Sequence, residues 1–339
     1  SPYERVGPMS KPVPPSRQST AGAAGEDHDS AIRTIAVIGT GTIGASWAAL
    51  FLAHGLDVVA SDPAAGASDA LHAFIDKAMP DLRALGATGQ GRLTFLDDDV
   101  EAAQWADFIQ ECAPEQEALK AELIGRLDAA AASDVLIASS TSMIPRSRLI
   151  AKARKPGRII VGHPFNPPHL VPLVEIVGAA PDAPAVLRAC AFYRSVGRQP
   201  VVLRKEVFGH IANRLQAAVW REALWLLEHE IADVEEIDRA VRFGPGLRWA
   251  IMGPFLTFHL AGGQGGAQHA FDQFGPGLSK VWSALASPSM KDPLRRAMID
   301  GLNRMTEGRS IGDLEKERDS SLRALLSLCT PANDDLKKS

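Results

Sequence analysis

The chain has 339 residues, more than one hydrophobic core ordinarily serves, so two domains are expected. Apolar residues make up 46% and charged residues 22%, the balance of an ordinary globular protein. A net charge of −4 without a long basic run argues against a nucleic-acid partner, and no apolar run reaches the roughly 18 residues of a membrane span. Cys112, Cys190 and Cys329 lie far apart and show no metal-ligand spacing, so no metal site and a reducing, cytoplasmic compartment are expected.

Residues 1–30 are rich in Pro, Ser, Gly and Ala, lack an apolar period and read as a disordered leader. Ile32 to Ile38 is a short β-branched apolar run and reads as a buried parallel strand. It leads straight into Gly39-Thr40-Gly41-Thr42-Ile43-Gly44, then a helical stretch ending at Gly55, then a second strand closed by Asp62. This is a βαβ unit with GxGxxG in register. Gly39 allows the tight turn. Gly41 lets the backbone meet a pyrophosphate at the helix N-terminus, with Thr42 and Ile43 opening the helix, and Gly44 permits close helix–strand packing. Asp62 stands eighteen residues after Gly44, where a carboxylate accepts from a ribose 2′-hydroxyl and repels a 2′-phosphate. No Arg follows it, so the expected cofactor is NAD rather than NADP.

Further strands are predicted at 92–96, 107–112, 135–139, 158–161, 170–177 and 200–203, with helices at 116–131 and 183–196. This alternation predicts an α/β domain over residues 31–203 with a Rossmann-type, doubly wound, mostly parallel sheet. Glu115, Ser142 and His163 all fall just after predicted strand ends, where such sheets bind ligands. Beyond them, a long helix over 207–230 opens an all-α substrate and dimerisation domain over 204–325, followed by a tail over 326–339. Its apolar faces point to a homodimer.

The stretch GHPFNPPHLVPLVE, residues 162–175, carries the chemistry. His163 and Glu175 are twelve residues apart, separated by a proline-broken turn and an apolar run. A strand returning beside that turn brings the carboxylate against the imidazole, fixing its tautomer and favouring its protonated form. A general base for an alcohol needs that support. On this stretch alone, a turn histidine and a strand-edge glutamate without a role is the other reading.

Taken together, the motifs resemble the 3-hydroxyacyl-CoA dehydrogenase superfamily from residue 32 to about residue 300. SSTS (139–142) resembles that family's SNTS, GHPFNPPHLVPLVEIV its HFFNP…LVEV signature, and GHIANRL (209–215) its GFIVNRL. The resemblance implies His163 as base, Glu175 as its partner, and Ser142 and Asn213 as holders of the substrate oxygen. It also implies Glu115, Lys120, Ser142 and Asn166 near the cofactor. The family's acyl-CoA members hold coenzyme A phosphates with cations after the second strand, yet Ala64 to Ile75 contains no Lys or Arg. The run from Arg221 to Gly263 resembles the L-carnitine dehydrogenase branch, with the λ-crystallin/L-gulonate 3-dehydrogenase branch a close relative. That implies NAD-dependent oxidation of a small 3-hydroxy acid, L-carnitine first. L-gulonate or acyl-CoA activity and a non-enzymatic crystallin-like role are the alternatives. Phe165, Trp249 and Phe255 are candidates to face a trimethylammonium and Arg248 to meet a carboxylate, although ordinary helical core accounts for most of the rings. The remaining histidines, His169 and His210 among them, read as surface or core residues.

Overall fold

The computed structural model describes residues 32–329, which divide into two compact units, one ending at Ile211 and the other beginning at Ala212. The leader expected over residues 1–30 and the part of the expected tail from 330 onward lie outside the described residues.

The first unit is built on one sheet of eight strands: β1 (Thr34–Ile38), β2 (Asp57–Ser61), β3 (Leu93–Leu96), β4 (Phe108–Glu111), β5 (Leu136–Ser139), β6 (Ile159–Pro164), β7 (Leu173–Val177) and β8 (Gln199–Val202). Their spatial order is β3-β2-β1-β4-β5-β6-β7-β8, parallel throughout except where β7 runs antiparallel to β6. This is the doubly wound sheet that the sequence predicts. Helices α1 (Thr42–Ala53), α2 (Ala67–Ala84), α3 (Asp99–Trp105), α4 (Glu117–Ala130), α5 (Arg146–Leu149) and α6 (Pro184–Ser195) cover it.

In the middle of the sheet both faces are buried, which explains why β1 reads as an unbroken apolar run. Ile35 and Val37 enter the core under α1, α2 and α6, whereas Ala36 and Ile38 enter the core under α3 and α4. The first layer is aromatic: Trp47 stacks on Phe51 at 5.3 Å, and Phe108 meets Phe192 at 4.3 Å. Helices α2 and α3 have no counterpart in the sequence reading. α2 carries Pro80 within it, and α3 has only 7 residues, started by the Asp98 side chain accepting from the Val100 and Glu101 N–H groups. α2 does bury Leu71, Ile75, Ala78 and Leu82 at helical spacing, a period the sequence reading passed over, whereas α3 is too short to show one.

One buried ion pair fastens the C-terminal end of α4 to the start of β6. Arg158 Nε donates to Asp128 Oδ1 at 2.8 Å, and the same guanidinium reaches the carbonyls of Asp128, Ala132 and Val135. Asp128 Oδ2 accepts from the N–H groups of Arg154 and Lys155. Burial alone raises the Asp128 carboxyl, but the Lys155 N–H, the Arg158 guanidinium and the Arg154 N–H outweigh it and hold it below its ordinary range.

The second unit consists of helices: α7 (Ala212–Glu228), α8 (Val234–Phe243), α9 (Pro245–Trp249), α10 (Pro254–Ala261), α11 (Gly266–Ala284), α12 (Asp292–Thr306) and α13 (Ile311–Cys329). The expected helix from 207 instead starts at Ala212. Gly209 and His210 are consecutive left-handed residues, with φ of 78° and 51°, and no helix passes through such a pair. Residues 204–211 also bond to the first unit: Glu206 accepts from the N–H and Oγ of Ser147, each at 2.7 Å. The boundary between units therefore falls eight residues later than the loss of strand pattern at 203 implies. At the other end α13 continues through Cys329, beyond the residue 325 at which the helical domain was expected to stop.

Arg158→Met leaves a carboxylate buried without its cation, which costs about 3–5 kcal/mol in urea unfolding of this unit at neutral pH. The folded pKa of Asp128 lies below its unfolded value. The pair's contribution is therefore complete above about pH 4 and lost as the pH falls below it, so the gap to the parent narrows in acid. An unchanged urea midpoint at neutral pH refutes this role.

Candidate active site

The site gathers at the carboxyl ends of β1, β2, β4, β5 and β6. After Ile38 the chain must turn at once into α1, and Gly39 does this with a φ of 89°. A Cβ on Gly39 would lie 2.7 Å from the Cys112 backbone, and one on Gly44 would lie 1.9 Å from the Gly39 carbonyl oxygen. Packing demands glycine at both places. Gly41 is different: a Cβ there meets nothing within 4 Å, so no protein atom requires the missing side chain. The open space lies where α1 begins without a side-chain cap and without an acidic residue in its first turn. The leading N–H groups of that helix, from Thr42 and Ile43 onward, are free to meet an anion.

Asp62 follows β2 and braces the same turn. Its Oδ2 accepts from the N–H and Oγ1 of Thr40 at 2.7 and 3.2 Å, and its Oδ1 from the Ala64 N–H at 2.9 Å. A carboxylate has about four lone-pair positions, so one is still open to a ribose hydroxyl. Asp62 also lines a cleft of about 590 Å³ with Ala64, Ser68 and Phe95. An uncapped helix start, an unfilled glycine and a cleft with a carboxylate at its mouth fit a dinucleotide.

Three acidic and amide side chains at the end of β4 fix the loop that follows β5. Glu111 is buried; its Oε1 accepts from Lys120 Nζ and the Ala113 N–H, each at 2.7 Å, and its Oε2 from Ser139 Oγ. Lys120 is 1% exposed and lies 3.9 Å from Glu115, so it sits beneath the floor of the site rather than on its surface. Glu115 Oε1 gathers Thr141 Oγ1 at 2.6 Å, the Ser142 N–H at 3.0 Å and the Met143 N–H at 2.8 Å. From the other face Tyr193 donates to Gln110 Oε1, and Gln110 Nε2 donates to Ser140 Oγ. Ser142 is left half-buried at the crest of a loop tied down on both sides. Cys112 lies 3.1 Å from Ser140 Oγ, and burial pushes its thiol up to about 12, so it stays protonated.

His163 on β6 and Glu175 on β7 are directly opposed in the antiparallel ladder. Such partners have Cβ atoms close enough for side chains to touch, and His163 Nδ1 lies 2.8 Å from Glu175 Oε2, with both residues buried. The Nδ1–H donates to the carboxylate, which leaves Nε2 as the bare nitrogen. The second carboxylate oxygen accepts the Ile211 N–H at 2.8 Å. Phe165 is half-buried and Asn166 exposed just beyond β6. His169 is a core residue engaged with Ser46 at 2.8 Å.

Sequence reasoning missed His210. Its ring is buried, its centroid lies 4.8 Å from that of His163, and its Nε2 reaches the Thr141 carbonyl at 3.2 Å. Its place three residues before Asn213 was the one available signal.

In the second unit Asn213 sits half-buried in the first turn of α7. Arg248 and Trp249 lie exposed on α9, and Phe255 on α10 is 90% exposed. These rings do not close an aromatic cage within their own unit. Phe258, half-buried, instead packs edge-on against the exposed rings of Phe271 and Phe274.

Known proteins share this plan. Residues 34–207 match the model of the 3-hydroxyacyl-CoA dehydrogenase NAD binding domain, and residues 209–291 that of the 3-hydroxyacyl-CoA dehydrogenase C-terminal domain. L-carnitine dehydrogenase of Streptomyces griseus subsp. griseus is 48% identical over 311 residues, 91% of this chain and 93% of that one. L-carnitine dehydrogenase of Pseudomonas aeruginosa is 48% identical over 299 residues, 87% of this chain and 93% of that one. Among solved structures, the NAD+-dependent dismutase 5-formyl-3-hydroxy-2-methylpyridine 4-carboxylic acid 5-dehydrogenase superposes with a TM-score of 0.75 at 30% identity, over 88% of this chain and 99% of that one. With the family's two domain models spanning both units, the chain belongs to the 3-hydroxyacyl-CoA dehydrogenase family and is an NAD-dependent dehydrogenase.

Proposed function

We propose that the enzyme oxidises the 3-hydroxyl of L-carnitine to the ketone, with His163 as general base. The observation that carries the base assignment is the buried Nδ1–Oε2 contact of 2.8 Å between His163 and Glu175. The choice of carnitine rests on the relatives at 48% identity over most of both chains and on the absence of Lys or Arg from residues 64–75.

NAD, when bound, supplies the hydride-accepting chemistry. Gly39, Gly41, Thr42, Ile43, Gly44 and Asp62 would hold its pyrophosphate and ribose, and Glu115, Ser142 and Asn166 its reacting end, with Lys120 supporting them from below. The base then works as follows. Nε2 of His163 takes the proton of the substrate hydroxyl, and the ring becomes an imidazolium. The Glu175 carboxylate, already bonded to Nδ1, stabilises that cation in a buried setting where the charge is weakly screened. Ser142 and Asn213 donate to the oxygen as it becomes a carbonyl. Arg248 would meet the substrate carboxylate, and Phe165, Trp249 and Phe255 its trimethylammonium, which cannot donate hydrogen bonds and binds to aromatic faces.

Leu247, Ile251 and Phe255 are 61%, 72% and 90% exposed, an apolar surface of the kind that marks interfaces. We infer a homodimer through the helical unit. Free thiols at Cys112 and Cys190 fit a reducing, cytoplasmic setting.

Three outcomes follow from this mechanism. His163→Ala lowers kcat by about 10²–10⁴-fold with NAD affinity unchanged, and Glu175→Gln loses less, because the imidazole remains; parental turnover in His163→Ala removes it from the mechanism. NAD binds at least about tenfold more tightly than NADP in a fluorescence titration, and Asp62→Ser narrows the gap; equal affinities for the two nucleotides in the parent refute the role of Asp62. Carnitine reacts at least about tenfold better than the isostere with a tert-butyl group in place of the ammonium, and Phe255→Leu shrinks that ratio. Equal rates for the two compounds, or turnover of gulonate or acetoacetyl-CoA alone, exclude the carnitine assignment.

A further inference from the structure

His210 lies in the turn between β8 and α7, on no regular element. Its φ of 51° places it in the left-handed region, directly after Gly209 at 78°. A histidine holds that conformation only where its surroundings fix it. Two contacts do so. The turn aims the Ile211 N–H at Glu175 Oε1, 2.8 Å away, and it sends the His210 ring inward until only 3% of the residue is exposed.

Inside, the ring touches two parts of the site at once. Its centroid is 4.8 Å from that of His163, with the planes tilted by 34°. Its Nε2 lies 3.2 Å from the carbonyl oxygen of Thr141, the residue before Ser142. Since a carbonyl only accepts, Nε2 carries the proton, and Nδ1 of the neutral ring is bare. Nδ1 is buried and has no hydrogen-bond partner. A ring needed only to fill space would be better served by a phenyl group, which leaves no orphaned acceptor. The polar edge is there for the Thr141 contact.

We propose that His210 is a positioning residue for the base, a spacer that joins the loop carrying Ser142 to the ring of His163 and holds the two at a fixed separation. This rests on the reading of His163 as the base. The titratable groups facing His210 are His163 on β6, Glu175 on β7 and Glu115 after β4. Burial, and then the neighbouring His163, hold its pKa below the ordinary histidine value against the pull of the Thr141 carbonyl and the two carboxylates. His210 is therefore neutral while His163 cycles through its cation. Protonation of His210 in acid sets two like charges side by side and opposes proton uptake by His163.

The test uses the full chain with NAD and whichever 3-hydroxy acid the parent oxidises, so that failure of carnitine as substrate leaves the result readable. His210→Asn tolerates the left-handed backbone but cannot span from Thr141 to His163. It is expected to lower kcat by about tenfold or more, with the Kd for NAD within about twofold of the parent. His210→Gln, which offers an amide N–H at about the reach of Nε2, recovers part of the loss. The acid limb of log(kcat/KM) steepens toward a slope of about two in the parent, as both imidazoles protonate, and stays near one in either variant. Parental kcat in His210→Asn, or a limb unchanged in slope in both variants, overturns the proposal. So does a loss in His210→Asn matched by an equal loss of NAD binding with no recovery in His210→Gln, which marks a merely structural role. If His210→Asn does not fold, the acid slope of His210→Gln decides alone. Parental turnover in His163→Ala would instead overturn the base assignment, and this proposal with it.

Discussion

Glu175 is engaged on both carboxylate oxygens, one by the His163 ring and the other by the Ile211 backbone. A carboxylate buried this deeply is costly unless both oxygens are satisfied. The cost is met only if β7 runs antiparallel to β6 in one register. A slip by one residue would turn Glu175 to the other face of the sheet and leave His163 without its support. The single antiparallel pairing in an otherwise parallel sheet is thus the geometry that sets the Glu175 carboxylate against the His163 ring. Gly162 belongs to the same arrangement, because a Cβ there would lie 2.4 Å from the Tyr193 hydroxyl that steadies β4 through Gln110.

The carboxylates at the end of β4 divide the remaining work. Glu111 is sealed with Lys120 and forms a floor that does not meet solvent, whereas Glu115 is partly exposed and gathers the backbone around Ser142. Asp62 plays the corresponding part for the glycine turn through Thr40. In each case an acid holds the chain that presents the next group. Such preorganisation spares the site from rearranging when charge develops in the reaction.

Much of this was legible in the residues. Period-free apolar strands, the glycine spacing after β1 and the twelve-residue gap from His163 to Glu175 are local patterns, and local patterns survive in a linear string. The role of Lys120 beneath the floor was not legible, since its partner Glu111 gives no sign of being buried. His210 was missed because its meaning comes from Thr141 and His163, distant in sequence, and from a left-handed turn that resembles the start of a helix. The exposure of Trp249 and Phe255 was equally hidden, because an apolar face looks the same on paper whether it meets its own core or a second molecule.

The turn at 204–211 has a consequence for how such a protein is taken apart or recombined. It belongs by sequence pattern to the connection between units, yet Glu206 is bonded to α5, His210 to the loop after β5 and Ile211 to Glu175 on β7. A chimera cut at residue 203, where the strands end, would graft a foreign linker against Glu175 and inherit a histidine with half its scaffolding gone. The transferable module ends at Ile211, and evolution exchanging helical partners onto this sheet would have to carry the last eight residues along as part of the cargo.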